Sequence, residues 1–139
     1  MQSSKMTHKT WIEISRKAII HNLSVFRKIV GEKKIMAVVK AEAYGHGLAE
    51  VASILKEKVD WFAVDNYEEG LRLRSEGIKK PILVLGYTPL ESLQKAVNAN
   101  LSLTAYDERT IKKLISLKLP KAKLHLKIET GLNRQGLGS

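Results

Sequence analysis

The chain has 139 residues, of which 44% are hydrophobic, and this suffices for one domain with a buried core. It contains no cysteine, which excludes disulfides and thiolate metal sites within it. Its first residues lack the apolar core of a signal peptide and no later apolar run has membrane-spanning length, so we expect a soluble intracellular chain with a cytoplasmic location. The net charge of +10 comes from lysines scattered over every predicted helix, and only 6% of the residues are aromatic. We therefore expect solvated helix faces and no nucleic-acid or membrane partner.

The first third of the chain predicts a strand, a helix and a second strand. Residues 11–14 alternate between apolar and polar side chains, which predicts a short strand within an N-terminal segment, 1–14. Ser15 is a candidate cap for a helix whose apolar face repeats at helical spacing until Gly31. The continuous apolar run 35–39 predicts a strand buried on both faces, and a helix is expected over 48–59.

The remaining elements repeat this order. Strands are predicted at 60–65, 81–86, 101–106 and 122–129. The helices between them carry start and stop signals: a capping box at Asn66 and Glu69, another led by Thr88, a cap at Asp107 and a stop at Pro120. Strands therefore begin roughly every 20–25 residues with a helix between each pair, which is typical of a parallel sheet.

Two architectures fit this order, an open doubly wound sheet and a (β/α)₈ barrel. The Gly-x-Gly-x-x-Gly fingerprint of dinucleotide-binding sheets is missing, because Gly45 and Gly47 are followed by Ala49 and Glu50. A complete barrel needs eight units and about 250 residues. We therefore expect residues 15–139 to be the first five strands of a barrel in a longer protein, with a C-terminal β-domain absent.

Lys40 ends the apolar run 35–39 and is followed by a small, polar loop. Parallel α/β folds carry their catalytic groups at this end of a strand. Partial desolvation there would favour the amine as a nucleophile toward an aldehyde, and pyridoxal phosphate commonly forms a Schiff base with such a lysine. From the burial pattern alone, a solvated lysine without a catalytic role is the main alternative.

The string from Ala37 to Gly47, Ala-Val-Val-Lys-Ala-Glu-Ala-Tyr-Gly-His-Gly, resembles the cofactor-lysine signature of the alanine racemase family. The family usually has asparagine in place of Glu42. The resemblance implies that Lys40 binds pyridoxal 5'-phosphate and acts as the base for the D-enantiomer, and that Tyr44 contacts the cofactor phosphate. Further similarity covers essentially the whole chain.

The fifth predicted strand has His125, Lys127 and Glu129 on one face and is followed by a loop with Arg134. On pattern alone, a solvated edge strand and the inner face of a barrel are equally open interpretations. This stretch is also similar to the family. The resemblance implies that Lys127 aligns with a lysine carbamylated in many members, and that Arg134 contacts it near the cofactor and the substrate carboxylate. Asn133 stands where the family has glycine.

The resemblance implies a homodimeric bacterial isomerase that interconverts L- and D-alanine for peptidoglycan. The base opposite Lys40 would be a tyrosine of the partner's C-terminal β-domain, beyond Ser139, so the isolated chain is expected to be inactive. Three alternatives stay open: a broad-specificity or serine racemase, for which Glu42 leaves room; a non-catalytic barrel that binds pyridoxal phosphate; and a basic interaction module.

Overall fold

The computed structural model describes residues 9–119 and 122–138. Within these ranges the elements follow one another as α1 (Arg16–Val30), β1 (Met36–Val38), α2 (Lys40–Gly45), α3 (Leu48–Leu55), β2 (Trp61–Val64), α4 (Tyr67–Ser75), β3 (Ile82–Val84), α5 (Leu93–Asn98), β4 (Ser102–Ala105), α6 (Glu108–Ser116) and β5 (Lys123–Leu126).

All five strands lie in one parallel sheet, in the order β1-β2-β3-β4-β5. This order has no reversal of direction along the sheet, whereas a doubly wound sheet needs one. The sheet is also strongly curved. The rings of Trp61 on β2 and His125 on β5 lie 5.8 Å apart, although three strand spacings would separate them by about 14 Å in a flat sheet. The fold is therefore part of a (β/α)₈ barrel, as predicted.

The hydrophobic core lies between the convex face of the sheet and the helices. Phe62 and Val64 of β2 face the same side as Ile82 and Val84 of β3, and all four are fully buried. Leu48, Leu73 and Leu93, from α3, α4 and α5, complete the same cluster. The opposite, concave face carries the alternate residues of each strand, which include those that line the cleft described below.

Three of the predicted helix starts are confirmed at the level of individual hydrogen bonds. The side chains of Ser15, Asn66 and Asp107 accept from the backbone N–H groups three residues on, at 3.2, 2.9 and 2.8 Å. Gly31 follows α1 with a φ of 60°, as expected for a residue that ends a helix. These short-range signals place the helices that connect the strands.

Other sequence-based expectations were wrong. Residues 11–14 form no strand, because no neighbouring strand pairs with them within the part of the chain that the structure describes. The helix predicted to start at Thr88 begins at Leu93, since Ser92 N donates to Pro89 O and the chain makes one turn first. β1 is not buried on both faces, because it is an edge strand whose Val38 is 51% exposed. Pro120 lies outside the described residues.

The first helix, α1, packs loosely on the rest of the molecule. Ile19 and Leu23 contact the core, but no residue of α1 is fully buried, and Phe26 is 60% exposed. Within residues 9–119 and 122–138, neither this helix nor any other is long and apolar enough to cross a membrane.

Candidate functional site

A cleft of about 640 Å³ opens where the strands end on the concave side of the sheet. Barrel folds build their active sites at this carboxyl end of the strands, because side chains from several strands converge there. The cleft is lined by residues of β3, β4 and β5 and of the segments that follow β1, β2, β3 and β5: Lys40, Asp65, Leu83, Leu85, Gly86, Tyr87, Thr104, His125, Leu126, Lys127, Arg134 and Gln135.

Lys40 reaches into this cleft from the end of β1. Its side chain is 32% exposed, which agrees with the expectation of partial desolvation. Its Nζ donates to Asp65 Oδ1 at 3.1 Å. The register explains this contact. Val38 of β1 pairs with Ala63 of β2, so Lys40 and Asp65, each two residues further along, lie opposite one another. The register therefore brings an amine and a carboxylate together on the inner face.

Element α2, which begins at Lys40, is a short left-handed turn. Ala41, Glu42, Ala43 and Tyr44 have φ between 49° and 53°, a conformation that costs about 1–2 kcal/mol for each residue other than glycine. Such strain persists only where surrounding contacts hold it, and it is frequent at functional sites. Tyr44, at the end of this turn, is 72% exposed and does not line the cleft. Its contact with a cofactor phosphate stays a prediction.

Glu42 points away from the cleft and supports the turn instead. One oxygen of its carboxylate accepts from Leu48 N at 3.1 Å and thereby caps α3, and the other pairs with Arg72. The hydrogen bond from Leu48 and the Arg72 guanidinium hold the pKa of Glu42 below its ordinary value. The Glu42 carboxylate therefore stabilises the backbone around the turn, and it does not line the cleft.

The second predicted group reaches the same cleft from the opposite edge of the sheet. Lys127 and Arg134 both line it, and Lys127 Nζ lies 3.5 Å from Gln135 Oε1. Glu129, which the sequence predicts on the same strand face, does not line the cleft, and its carboxylate binds the loop that follows it. It accepts from Gly131 N at 2.6 Å and from Arg134 N at 3.2 Å. The N–H groups of Asn133 and Gly131 hold the pKa of Glu129 below its ordinary value.

The charges of the cleft favour an anion. Lys40, Lys127 and Arg134 contribute three positive charges, and Asp65 contributes one negative charge. An arginine offers paired donors that match a carboxylate or a phosphate, and a lysine offers a compact charge and a nucleophile. Leu83 and Leu85 add apolar surface. The arrangement can hold a small anionic molecule with an apolar part beside an accessible amine.

Sequence reasoning missed Asp65 and Thr104 as residues of the cleft. Asp65 could have been found from its place in the sequence, because it ends the strand predicted at 60–65, and parallel α/β folds carry their catalytic groups at this end of a strand. Thr104, in the middle of β4, has no such signal. Its hydroxyl donates to Val84 O at 2.7 Å, which ties two strands together at the floor of the cleft.

The family model for the alanine racemase N-terminal domain matches residues 14–139. Alanine racemase 1 of Caldanaerobacter subterraneus subspecies tengcongensis is 51% identical over 132 residues, which cover 91% of this chain and 34% of the relative. The serine/alanine racemase of Enterococcus gallinarum is 41% identical over 127 residues, which cover 90% of this chain and 18% of the relative.

The solved structure of alanine racemase from Clostridium difficile 630 superposes with a TM-score of 0.89 at 43% identity, over 96% of this chain and 36% of that one. The chain thus spans about a third of the length of the alanine racemases it matches. Since the family model covers nearly all of the chain, the chain belongs to the alanine racemase family, through its N-terminal domain.

Proposed function

We propose that this chain forms the lysine-bearing side of the active site of a pyridoxal-phosphate-dependent alanine racemase, which interconverts L-alanine and D-alanine. The observation that carries the proposal is the meeting of Lys40, Lys127 and Arg134 in one cleft, although they come from opposite edges of the sheet. Family membership over residues 14–139 supports the class of reaction.

The groups that line the cleft fit this cofactor. Pyridoxal phosphate combines an aldehyde, an apolar ring and a phosphate. Lys40 has an accessible amine for the aldehyde, Leu83 and Leu85 have apolar surface for the ring, and the surplus of positive charge suits the phosphate. Tyr44 is exposed on the same edge of the barrel, where a phosphate at the mouth of the cleft could contact its hydroxyl.

When bound, pyridoxal phosphate delocalises the charge that develops at the substrate Cα and so makes its proton acidic enough to remove. Lys40 Nζ takes this proton from the D-enantiomer on its own face and returns one to that face in the reverse direction. Arg134 binds the substrate carboxylate through its paired donors. Asp65 directs the Lys40 amine into the cleft through their 3.1 Å contact.

Inversion at Cα also needs a proton on the opposite face. We propose that a partner subunit in a homodimer supplies that group, as the family resemblance implies, and that residues 1–139 alone do not racemise alanine. The test is D-alanine formation from L-alanine by purified residues 1–139 with added cofactor, where appreciable turnover would refute the proposal. The enzyme would act in the cytoplasm and supply D-alanine for peptidoglycan.

Borohydride reduction tests the assignment of Lys40. The complete protein is incubated with pyridoxal phosphate, reduced and digested, and we expect the modified peptide to contain Lys40. A Lys40→Ala variant should lose both the label and racemase activity. The matched control is Lys34→Ala, because Lys34 is exposed six residues earlier and does not line the cleft. A label on another lysine would overturn the assignment, and a label without racemisation would favour a non-catalytic cofactor-binding barrel.

Serine is the second candidate substrate, because a serine/alanine racemase is 41% identical to this chain. Glu42 no longer favours it, since this carboxylate caps α3 outside the cleft. The ratio of kcat/KM for alanine to that for serine, measured with the complete protein, decides between them. We expect alanine to be preferred, and a ratio below one would establish a serine racemase.

Carbamylation of Lys127 is a further proposal. The Lys127 amine lines the cleft with only Gln135 within hydrogen-bond distance among the described residues, so it is accessible to carbon dioxide. A carbamate would be held by the Arg134 guanidinium. The test is an NMR spectrum in isotopically labelled bicarbonate, in which the carbamate signal should disappear in Lys127→Arg.

A further inference from the structure

The carboxylate of Glu69 makes contacts that its helix does not require. Asn66 caps α4 by accepting from Glu69 N at 2.9 Å, as the sequence predicts. In a capping box the glutamate would in turn accept from the N–H of the cap residue. Here Glu69 Oε1 accepts instead from Ala41 N at 2.7 Å, and Oε2 accepts from Asp65 N at 2.8 Å. One side chain of α4 therefore joins the ends of β1 and β2.

These two N–H groups are the ones that continued pairing of β1 with β2 would use. The pairing ends where Val39 N donates to Ala63 O at 2.9 Å, and the next donors in a parallel ladder are two residues on, Asp65 N and Ala41 N. The two carbonyl oxygens that would accept from them in a continued ladder accept from other N–H groups instead. Val39 O accepts from Ala43 N in the left-handed turn, and Asp65 O accepts from Gly86 N of the neighbouring strand segment.

We propose that Glu69 is a positioning residue for Lys40, and this inference rests on the proposed function. Its carboxylate replaces the missing ladder acceptors at the point where the chain leaves the sheet. It holds Ala41, the residue bonded directly to Lys40, and Asp65, the residue whose carboxylate contacts Lys40 Nζ. Both members of the Lys40–Asp65 pair are thus anchored to one carboxylate, which sets where the amine lies in the cleft.

The variant that tests this is Glu69→Gln, with Glu68→Gln as its matched control. A glutamine keeps one acceptor oxygen but turns an NH₂ donor toward the second backbone N–H, so one of the two hydrogen bonds is lost and a donor faces a donor. Glu68 is the adjacent residue of the same helix and its side chain is exposed. Leu114→Ala serves as a second control, because it lowers stability at a buried position of α6 that does not line the cleft.

The readout is the affinity of the complete protein for pyridoxal phosphate, measured from its visible absorbance, together with the extent of borohydride-trapped label at Lys40. We expect Glu69→Gln to weaken binding about tenfold or more, and both controls to bind as the unsubstituted protein does. If the unsubstituted protein takes no label at Lys40, the proposed function fails. If it takes the label and Glu69→Gln binds equally well, the role of Glu69 is refuted and the function stands.

Amide hydrogen exchange of the unsubstituted protein decides the outcome if Glu69→Gln does not fold. The N–H groups of Ala41 and Asp65 should exchange slowly, because each donates to the Glu69 carboxylate. The N–H of Glu42, which lies beside Ala41 in the same turn, provides the local reference. Exchange of Ala41 and Asp65 at the rate of unprotected amides would refute the inference.

Discussion

Lys40 and Asp65 occupy matching positions in the register of β1 and β2, and their side chains meet at 3.1 Å. Neither residue lies in a strand. Each stands two residues beyond the last paired residue of its strand. Because side chains alternate between the two faces of a sheet, a side chain two residues further on points to the same face, here the concave one. The pairing of two strands therefore determines which charge accompanies the lysine of the motif.

Loss of the Asp65 carboxylate should leave the fold intact. The two side chains are 32% and 54% exposed, and ion pairs of this kind contribute at most about 1 kcal/mol. We expect Asp65→Asn to change the free energy of unfolding by less than about 1 kcal/mol, measured by urea denaturation of the purified protein. A loss of several times that amount would mean that the pair holds β1 on the sheet.

Gly86 should not tolerate a side chain. A Cβ at this position would lie 2.6 Å from the carbonyl oxygen of Asp65, because Gly86 N donates to the same oxygen at 2.8 Å and holds the two backbones together. We expect Gly86→Ala to cost about 1–3 kcal/mol of stability. Gly138→Ala is the control, since a Cβ there meets nothing within 4 Å. Equal unfolding midpoints for the two variants would contradict the close approach.

The two phenylalanines of the chain should differ sharply in their contribution to stability. Phe62 on β2 is fully buried between the sheet and the helices, whereas Phe26 on α1 is 60% exposed. We expect Phe62→Ala to cost about 3–5 kcal/mol and Phe26→Ala to cost less than about 1 kcal/mol. Thermal and urea unfolding measure both. A large effect at Phe26 would show that α1 is covered in the protein in solution.

The stability of the protein should fall in acid partly through Glu42. Hydrogen bonding from Leu48 and Arg72 lowers the pKa of Glu42 in the folded protein from its ordinary 4.5. The stabilisation is therefore complete above the unfolded value and disappears as the pH falls through the lower folded value. We expect Glu42→Gln to lose less stability than the unsubstituted protein between pH of about 6.5 and about 3.5. The comparison uses urea midpoints, with Glu68→Gln as control, and an unchanged pH dependence in Glu42→Gln would contradict it.

The sequence by itself predicted the five strands of the sheet, the helices that connect them, three helix caps and the motif that contains Lys40. These features depend on residues close together in the chain. An apolar run of a given length predicts a strand, and a side chain such as that of Asp107 caps its helix through a bond to Thr110, only three residues away. The motif around Lys40 is likewise continuous, so it can be recognised without the fold.

Only the tertiary structure decided what surrounds that lysine. The Asp65 carboxylate reaches it through strand register, and Lys127 reaches the same cleft through the curvature of the sheet. The carboxylates of Glu42 and Glu69 hold the backbone of the turn after Lys40, although the sequence suggested an effect of Glu42 on substrate scope and a capping box for Glu69. These outcomes depend on contacts between residues far apart in the chain, and local propensity carries no information about such contacts.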